Sequence, residues 1–157
     1  MIALIQRVTR ARVEVGERVV GEIERGVLAL IGVQRHDEPA GAERLLERIL
    51  SYRIFPDEEG RMNRSLRDVH GGLLLVSQFT LAADTRTGTR AGFTTAAAPE
   101  LARRLFDHLV ASARARHETV ATGEFGAHMM ICLVNDGPVT FWLATPPRIP
   151  PEEGANP

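Results

Sequence analysis

Two stretches of this chain combine residue types that could do chemistry. The first, Ser77-Gln78-Phe79-Thr80, follows the apolar run Leu73-Leu74-Leu75-Val76 and sets two hydroxyls and a carboxamide where a strand would leave the core. The second, Asn135-Asp136-Gly137-Pro138-Val139-Thr140, lies between two apolar runs, Met129 to Val134 and Val139 to Leu143. Proline donates no ladder hydrogen bond and glycine weakens a strand interior, so a Gly-Pro pair here contradicts the strand chemistry around it. It forms either a tight reversal between two strands or a fixed backbone edge presented to a ligand, and spacing alone favours the reversal. X-Pro bonds are also the ones that can be cis. Taken alone, Ser77 to Thr80 reads as a strand leaving the core with its polar groups satisfied by neighbours.

Other chemistries lack their residues. The five histidines, at 36, 70, 108, 117 and 128, form no His-X-His or His-Glu-X-X-His pattern, and Cys-X-X-Cys is absent, so no metal is expected. His108 and His117 read as surface histidines in or just after a helix. Gly-X-Ser-X-Gly is missing, which removes the usual nucleophile elbow for Ser77. Gly-X-Gly-X-X-Gly and Walker patterns are missing too, so no cofactor is expected. All 19 basic residues are arginine, which excludes a lysine Schiff base, a lysine general base and a phosphate-loop lysine. The single cysteine, Cys132, sits inside an apolar run and is expected to pack as a small buried hydrophobe.

The elements that must position these residues follow from periodicity. Apolar stretches at Ile2 to Ile5, Ala11 to Val15, Val19 to Ile23 and Val27 to Val33, punctuated by Gly16-Glu17 and Arg25-Gly26, predict an antiparallel meander. From Pro39, Leu45, Leu46, Ile49 and Leu50 recur at helical offsets. A second helix is predicted from about Pro99, with Leu101, Leu105, Phe106, Leu109, Val110 and Ala113 on one stripe. Leu73 to Val76 reads as a strand buried on both faces, running on to Leu81. Further strands are predicted at about 118–122, 129–134 and 139–143. Residues 82–97 lack periodicity and form a long loop of the kind that is functional or mobile. The order indicates α+β: a mixed or mainly antiparallel, barrel-like sheet covered by two main helices. Residues 1–145 form a single domain and 146–157 a proline-rich tail, expected to be disordered or loosely attached.

A net charge of -1 and a pI near 6.5 argue against a broad grip on nucleic acid, so any such contact is small and local. No apolar run reaches the roughly 18 residues of a membrane span, and the N-terminal segment reads as a strand without a signal-peptide pattern. A cytoplasmic protein is the default expectation.

The segments Val76 to Thr85 and Leu133 to Leu143 together resemble the bacterial D-aminoacyl-tRNA deacylase family, proofreading enzymes that remove D-amino acids from tRNA. Met1 to Ala11 and Tyr52-Arg53-Ile54-Phe55 resemble it as well, and the likeness runs from residue 1 to about 144. It implies a homodimer in which a cis Gly137-Pro138 peptide projects into the partner's active site and rejects L-amino acids while admitting D-amino acids and glycine. It implies that Ser77, Gln78 and Thr80 line the catalytic pocket with Phe79, near backbone N–H groups that bind the oxyanion. Phe125 and Met129 match positions that contact the terminal adenosine, and Arg7 an arginine that braces the Gly-Pro loop. By the same likeness the partner is aminoacyl-tRNA, met at its 3′-terminal adenosine and D-amino acid, with neither DNA nor a membrane. The resemblance implies that catalysis draws on the terminal ribose 2′-hydroxyl, with Thr80 as nucleophile the alternative, and nothing in the sequence decides between them. Where the family commonly has Arg-Pro-Ser-Phe, this chain has Arg90-Ala91-Gly92-Phe93, which puts the ordering of that loop in question. Position 128 is His in place of the frequent Asp. The competing readings are a non-catalytic tRNA 3′-end binding module on the same fold and a side-chain-dependent serine or threonine esterase.

Overall fold

The computed structural model describes residues 1–146, so the expected tail lies almost wholly outside the described residues. Strand β1 (Ile2–Val15) is the spine of the sheet. The two apolar stretches that the sequence separates at 2–5 and 11–15 belong to this one strand. Strand β2 (Arg18–Ile23) folds back antiparallel on its second half, and β3 (Gly26–Gly32) pairs antiparallel with its first half, from Ile2 opposite Gly32 to Val8 opposite Gly26. After helix α1 (Pro39–Ser51), a two-stranded ribbon of β4 (Phe55–Pro56) and β5 (Met62–Arg64) and a short helix α2 (Leu66–Val69), strand β6 (Gly72–Ser77) lies parallel to β3. Helix α3 (Pro99–Arg116) follows, then β7 (Val120–Thr122), parallel to β6.

The mixed sheet nearly closes into a barrel because β7 returns against β2. A Cβ on Gly21 would stand 2.3 Å from the Thr122 carbonyl oxygen, so this approach depends on glycine. Inside lie Val8, Ala11, Val13, Ile23, Leu28, Leu74 and Val76. The other face of the sheet packs on the helices through Ile5, Val27, Ala29, Leu73 and Leu75. Leu73 to Val76 are therefore buried on both faces, as their unbroken apolar run requires. Proline opens both main helices, where its missing N–H costs no helical bond. α1 buries Leu45, Leu46, Ile49 and Leu50; α3 buries Leu105, Phe106, Leu109 and Ala113. Each large aliphatic side chain contributes about 1.5–3 kcal/mol by burial.

The helices are also tied by charge. Glu43 of α1 accepts a hydrogen bond from Ser112 Oγ at 2.8 Å and faces His108 Nε2 at 2.8 Å and the Arg116 guanidinium, all on α3. The Ser112 hydrogen bond, aided by Arg116 and His108, holds the Glu43 carboxyl below its usual range. His117 caps the C-terminus of α3 with its ring Nε2 2.6 Å from the Gly71 carbonyl oxygen.

Three sequence expectations are corrected. The apolar runs on either side of Gly137-Pro138 are one strand, β8 (Met130–Ala144), which pairs antiparallel with β1 from Ile2 opposite Ala144 to Glu14 opposite Met130. The chain does not reverse at the Gly-Pro pair; it bulges and continues. β6 stops at Ser77, and Phe79–Ala82 form a single 3-10 turn where a strand to Leu81 was expected. Cys132 is exposed, because β8 alternates: Ile131 and Leu133 pack on the barrel interior while Met130, Cys132 and Val134 face outward.

Candidate active site

The parallel strands β3, β6 and β7 deliver their C-terminal ends to one edge of the sheet, and the Ser77 segment starts there. Gln78 closes β6 by donating its backbone N–H to Ile31 O at 2.7 Å, after which the chain tightens into the 3-10 turn. The first bond of that turn runs from Leu81 N–H to Gln78 O, so the N–H groups of Phe79 and Thr80 precede its hydrogen-bonded part. Gln78 Nε2 donates to Thr80 Oγ1 at 2.5 Å. Phe79 is 60% exposed and stacks at a tilt on Phe93, ring centroids 5.1 Å apart. Ser77 is half-buried and Thr80 exposed.

The loop with the altered Arg90-Ala91-Gly92-Phe93 sequence is pinned without a proline. Asp84 and Gly92 exchange backbone hydrogen bonds of 2.7 and 3.0 Å, Ala96 bridges to Gln34, and Thr95 Oγ1 donates to Ala82 O. The Arg86 side chain, bonded to Asp84 at 2.6 and 2.9 Å, holds the Asp84 carboxyl down at about 2.

Phe125 and Met129 stand beside this edge. Gly123 N–H donates to Leu75 O at 2.9 Å, which binds the start of the 123–129 loop to β6. The Met129 sulfur lies 2.7 Å from where a Cβ on Gly123 would stand, with Val76 behind it. Phe125 packs on Phe106 of α3 at 6.1 Å, and the Arg103 guanidinium sits over its ring at 4.6 Å. Ser77 to Thr80, Phe125 and Met129 thus share one end of the sheet.

Gly137, Pro138 and Arg7 are elsewhere. Along β8 the register jumps from Thr140 opposite Gln6 to Asn135 opposite Val8, so residues 136–139 bulge out across from Arg7. Asn135 clasps the bulge: its Nδ2 donates to Arg7 O and to Val139 O, and its Oδ1 accepts from Val139 N–H, each at 3.0 Å. The Arg7 side chain, 12% exposed, donates from Nε to Asp136 O at 3.0 Å and from Nη1 to Ile54 O at 2.6 Å, with Asp136 Oδ2 at 3.1 Å. The Gly137–Pro138 peptide is cis, and Gly137 has φ of +152°, a conformation that favours glycine. Gly137 and Pro138 are both exposed.

The bulge and the Ser77 turn do not meet within one chain. Arg7 pairs with Val27 and Val27 with Leu73, so the path from bulge to Ser77 takes three strand steps and four residues along β6. At about 4.8 Å per step and about 3.3 Å per residue the separation measured along the sheet is roughly 20 Å.

Asn135 and Arg103 are the positions whose roles were not assigned from the sequence. The Asn135 clasp had a signal, since asparagine commonly bonds backbone groups just ahead of it in turns. Arg103 had none, because its contact with Phe125 spans 22 residues.

The family model described as D-Tyr-tRNA(Tyr) deacylase matches residues 4–144. A protein of Thioalkalivibrio sulfidiphilus described as D-aminoacyl-tRNA deacylase is 67% identical over 147 residues, covering 94% of this chain and 99% of that one. A protein of Cupriavidus metallidurans with the same description is 61% identical, covering 94% and 97%. A solved structure described as c-Myc DNA Unwinding Element Binding Protein superposes with a TM-score of 0.88 at 37% identity, covering 93% of this chain and 99% of that one. One described as a probable eukaryotic D-amino acid tRNA deacylase shares the fold, with a TM-score of 0.79 at 18% identity, covering 92% and 98%.

Proposed function

The chain belongs to the D-Tyr-tRNA(Tyr) deacylase family, and on that premise we propose that it hydrolyses the ester bond of D-aminoacyl-tRNA, releasing free D-amino acid and tRNA. It is a proofreading hydrolase that works in the cytoplasm as a homodimer. The 3′-terminal adenosine rests against Phe125 and Met129, an arrangement suited to an unpaired base held by aromatic and apolar contact. The ester carbonyl lies over the Phe79–Ala82 turn, where the Phe79 and Thr80 N–H groups are available to the oxyanion. Water adds to that carbonyl, the ribose 3′-oxygen leaves with a proton, and the neighbouring ribose 2′-hydroxyl orients the attacking water. Among the described residues no histidine or carboxylate bonds to Thr80, whose oxygen accepts from Gln78. Thr80 therefore lacks the base that an attacking hydroxyl requires, which favours the RNA hydroxyl over a threonine nucleophile.

The bulge of a second copy supplies the chiral edge. Backbone at Gly137 and Pro138 leaves room for the α-hydrogen of a D-amino acid, or for glycine, and collides with an L side chain. The observation that carries this reading is the clamp of Asn135 and Arg7, which holds that backbone out of the β1–β8 ladder and open to solvent. The roughly 20 Å between bulge and turn in one chain supports a site shared by two chains. So does the exposed apolar face of β8, where Met130 and Trp142 are 57% and 53% exposed.

Rates of deacylation of D-tyrosyl-tRNA and L-tyrosyl-tRNA test the proposal. The D ester is expected to react at least about a hundredfold faster, equivalent to about 2.7 kcal/mol. Equal rates, or none on the D ester, contradict it; binding of tRNA without hydrolysis would mark a 3′-end binding module.

A further inference from the structure

We propose that Arg103 is a phosphate-binding residue, engaging the phosphodiester that joins the terminal adenosine to the nucleotide before it. This rests on the placement of that adenosine against Phe125 and Met129. Arg103 projects from the second turn of α3 and is exposed, yet it is held in place: its guanidinium carbon lies 4.6 Å from the centre of the Phe125 ring, and Nη2 donates to Phe125 O at 3.4 Å. The same nitrogen is 3.9 Å from where a Cβ on Gly126 would stand, so the group tucks under the 123–128 loop.

Among the described residues nothing neutralises its charge: no carboxylate is within ion-pair distance of Arg103. Glu100 and Asp107, three residues before and four after it on the helix, are near enough in principle but make no such pair, and Glu124 on the loop is paired with Arg18 at 3.5 Å. Of the five N–H donors of a guanidinium, one is committed to Phe125 O, which leaves a fork suited to two phosphate oxygens. A structural arginine would be expected to spend its charge on a neighbouring carboxylate, as Arg67 does on Glu47 at 2.7 and 2.8 Å and Arg86 on Asp84. Arg103 is instead fixed by an aromatic face and a carbonyl beside the residues assigned to the base. A nucleotide held by its base at that place carries its 5′-phosphate one ribose away, within reach of a neighbouring long side chain, and a protein of net charge -1 needs such a local cation to hold RNA.

The test compares adenosine with adenosine 5′-monophosphate as ligands of the full-length wild-type protein and of Arg103→Ala, Arg103→Gln and Arg103→Lys. The wild type is expected to bind the monophosphate about tenfold more tightly, with that preference lost in the Ala and Gln variants and weakened in Lys, which keeps the charge but not the planar fork. Binding of a tRNA 3′-end oligonucleotide should lose about 0.7 of its log–log salt slope in the Ala and Gln variants. Gln preserves bulk and planarity, so loss of a merely structural contact would leave the phosphate preference intact. A preference equal in wild type and Arg103→Ala, or in wild type and Arg103→Gln, overturns the proposal. D-tyrosyl-tRNA hydrolysis by the same proteins separates the two readings. An active wild type with no phosphate preference removes the Arg103 role alone, whereas a wild type that binds the monophosphate but hydrolyses no D ester removes the deacylase reading alone.

Discussion

The Ser77 turn and the Gly137 bulge are built in opposite ways. At the turn, the strand ends and the groups are left available: Thr80 and Phe79 are exposed, and the one side-chain hydrogen bond within Ser77 to Thr80 joins Gln78 to Thr80. At the bulge, the side chains of Arg7 and Asn135 make five hydrogen bonds, three of them with the backbone of Asp136 and Val139 and the other two anchoring to Arg7 O and Ile54 O. A group that binds a changing charge distribution needs open N–H donors, whereas an edge that discriminates by shape has to be stiff. The stiffness is built where the ladder is interrupted, which leaves backbone carbonyls free to face a ligand.

If that contrast is right, damage to the stiff half is the more costly. Gly137→Ala puts a Cβ 2.5 Å from Val139 N in a conformation that favours glycine, a strain of about 1–3 kcal/mol. We expect a fall of roughly a hundredfold in kcat/KM for D-tyrosyl-tRNA; an unchanged value would break the comparison. Arg7→Ala removes bonds to Asp136 O and Ile54 O and leaves the bulge held by Asn135. Kinetics on both esters should show about a tenfold loss on the D ester, in keeping with about 1.5 kcal/mol for a hydrogen bond to a charged group, together with a rise on the L ester. Thr80→Ala, in the open half, should lower kcat by less than about threefold if backbone donors and the RNA carry the reaction; a loss near a thousandfold would restore a threonine nucleophile.

The smallest effect is expected away from both halves. Glu43, partly exposed, contributes about 0.5–1 kcal/mol to holding α1 on α3. Because its carboxyl is lowered below the ordinary 4.5 by Ser112, Arg116 and His108, that contribution is full above 4.5 and is lost as pH falls through the depressed value. Urea unfolding of Glu43→Gln against wild type should show the difference at pH 7 and its progressive loss as pH falls below 4.5. A difference independent of pH would place the interaction elsewhere.

How much of this could be read from the sequence depended on whether the deciding contact was local. Leu45, Leu46, Ile49 and Leu50 declare their helix through spacing alone, and Leu73 to Val76 declare a strand covered on both faces. The Gly-Pro pair did not declare itself. A strand interrupted by Gly-Pro looks the same whether the chain reverses or bulges, and what decides is pairing with β1, more than 120 residues away. Cys132 was misplaced for a related reason: in the unbroken run from Met129 to Val134 nothing marks which alternate residues face the barrel. The turn at Phe79 depends on where the parallel strand β3 ends beside it. The resemblance singled out the individual candidate residues, but their division between two ends of the sheet came from strand register.

The central claim is that one site takes its turn from one chain and its edge from another. Mixing Gly137→Ala with Thr80→Trp tests it directly, since Thr80 is exposed and its replacement blocks the turn without entering the core. Each variant alone should be nearly inactive on D-tyrosyl-tRNA. After dissociation and reassembly of an equal mixture, half the dimers carry both variants, and each of these has one intact turn facing one intact bulge. We predict recovery of about a quarter of wild-type activity per site, as random pairing of subunits gives. Activity that stays at the sum of the two parents would contradict the account.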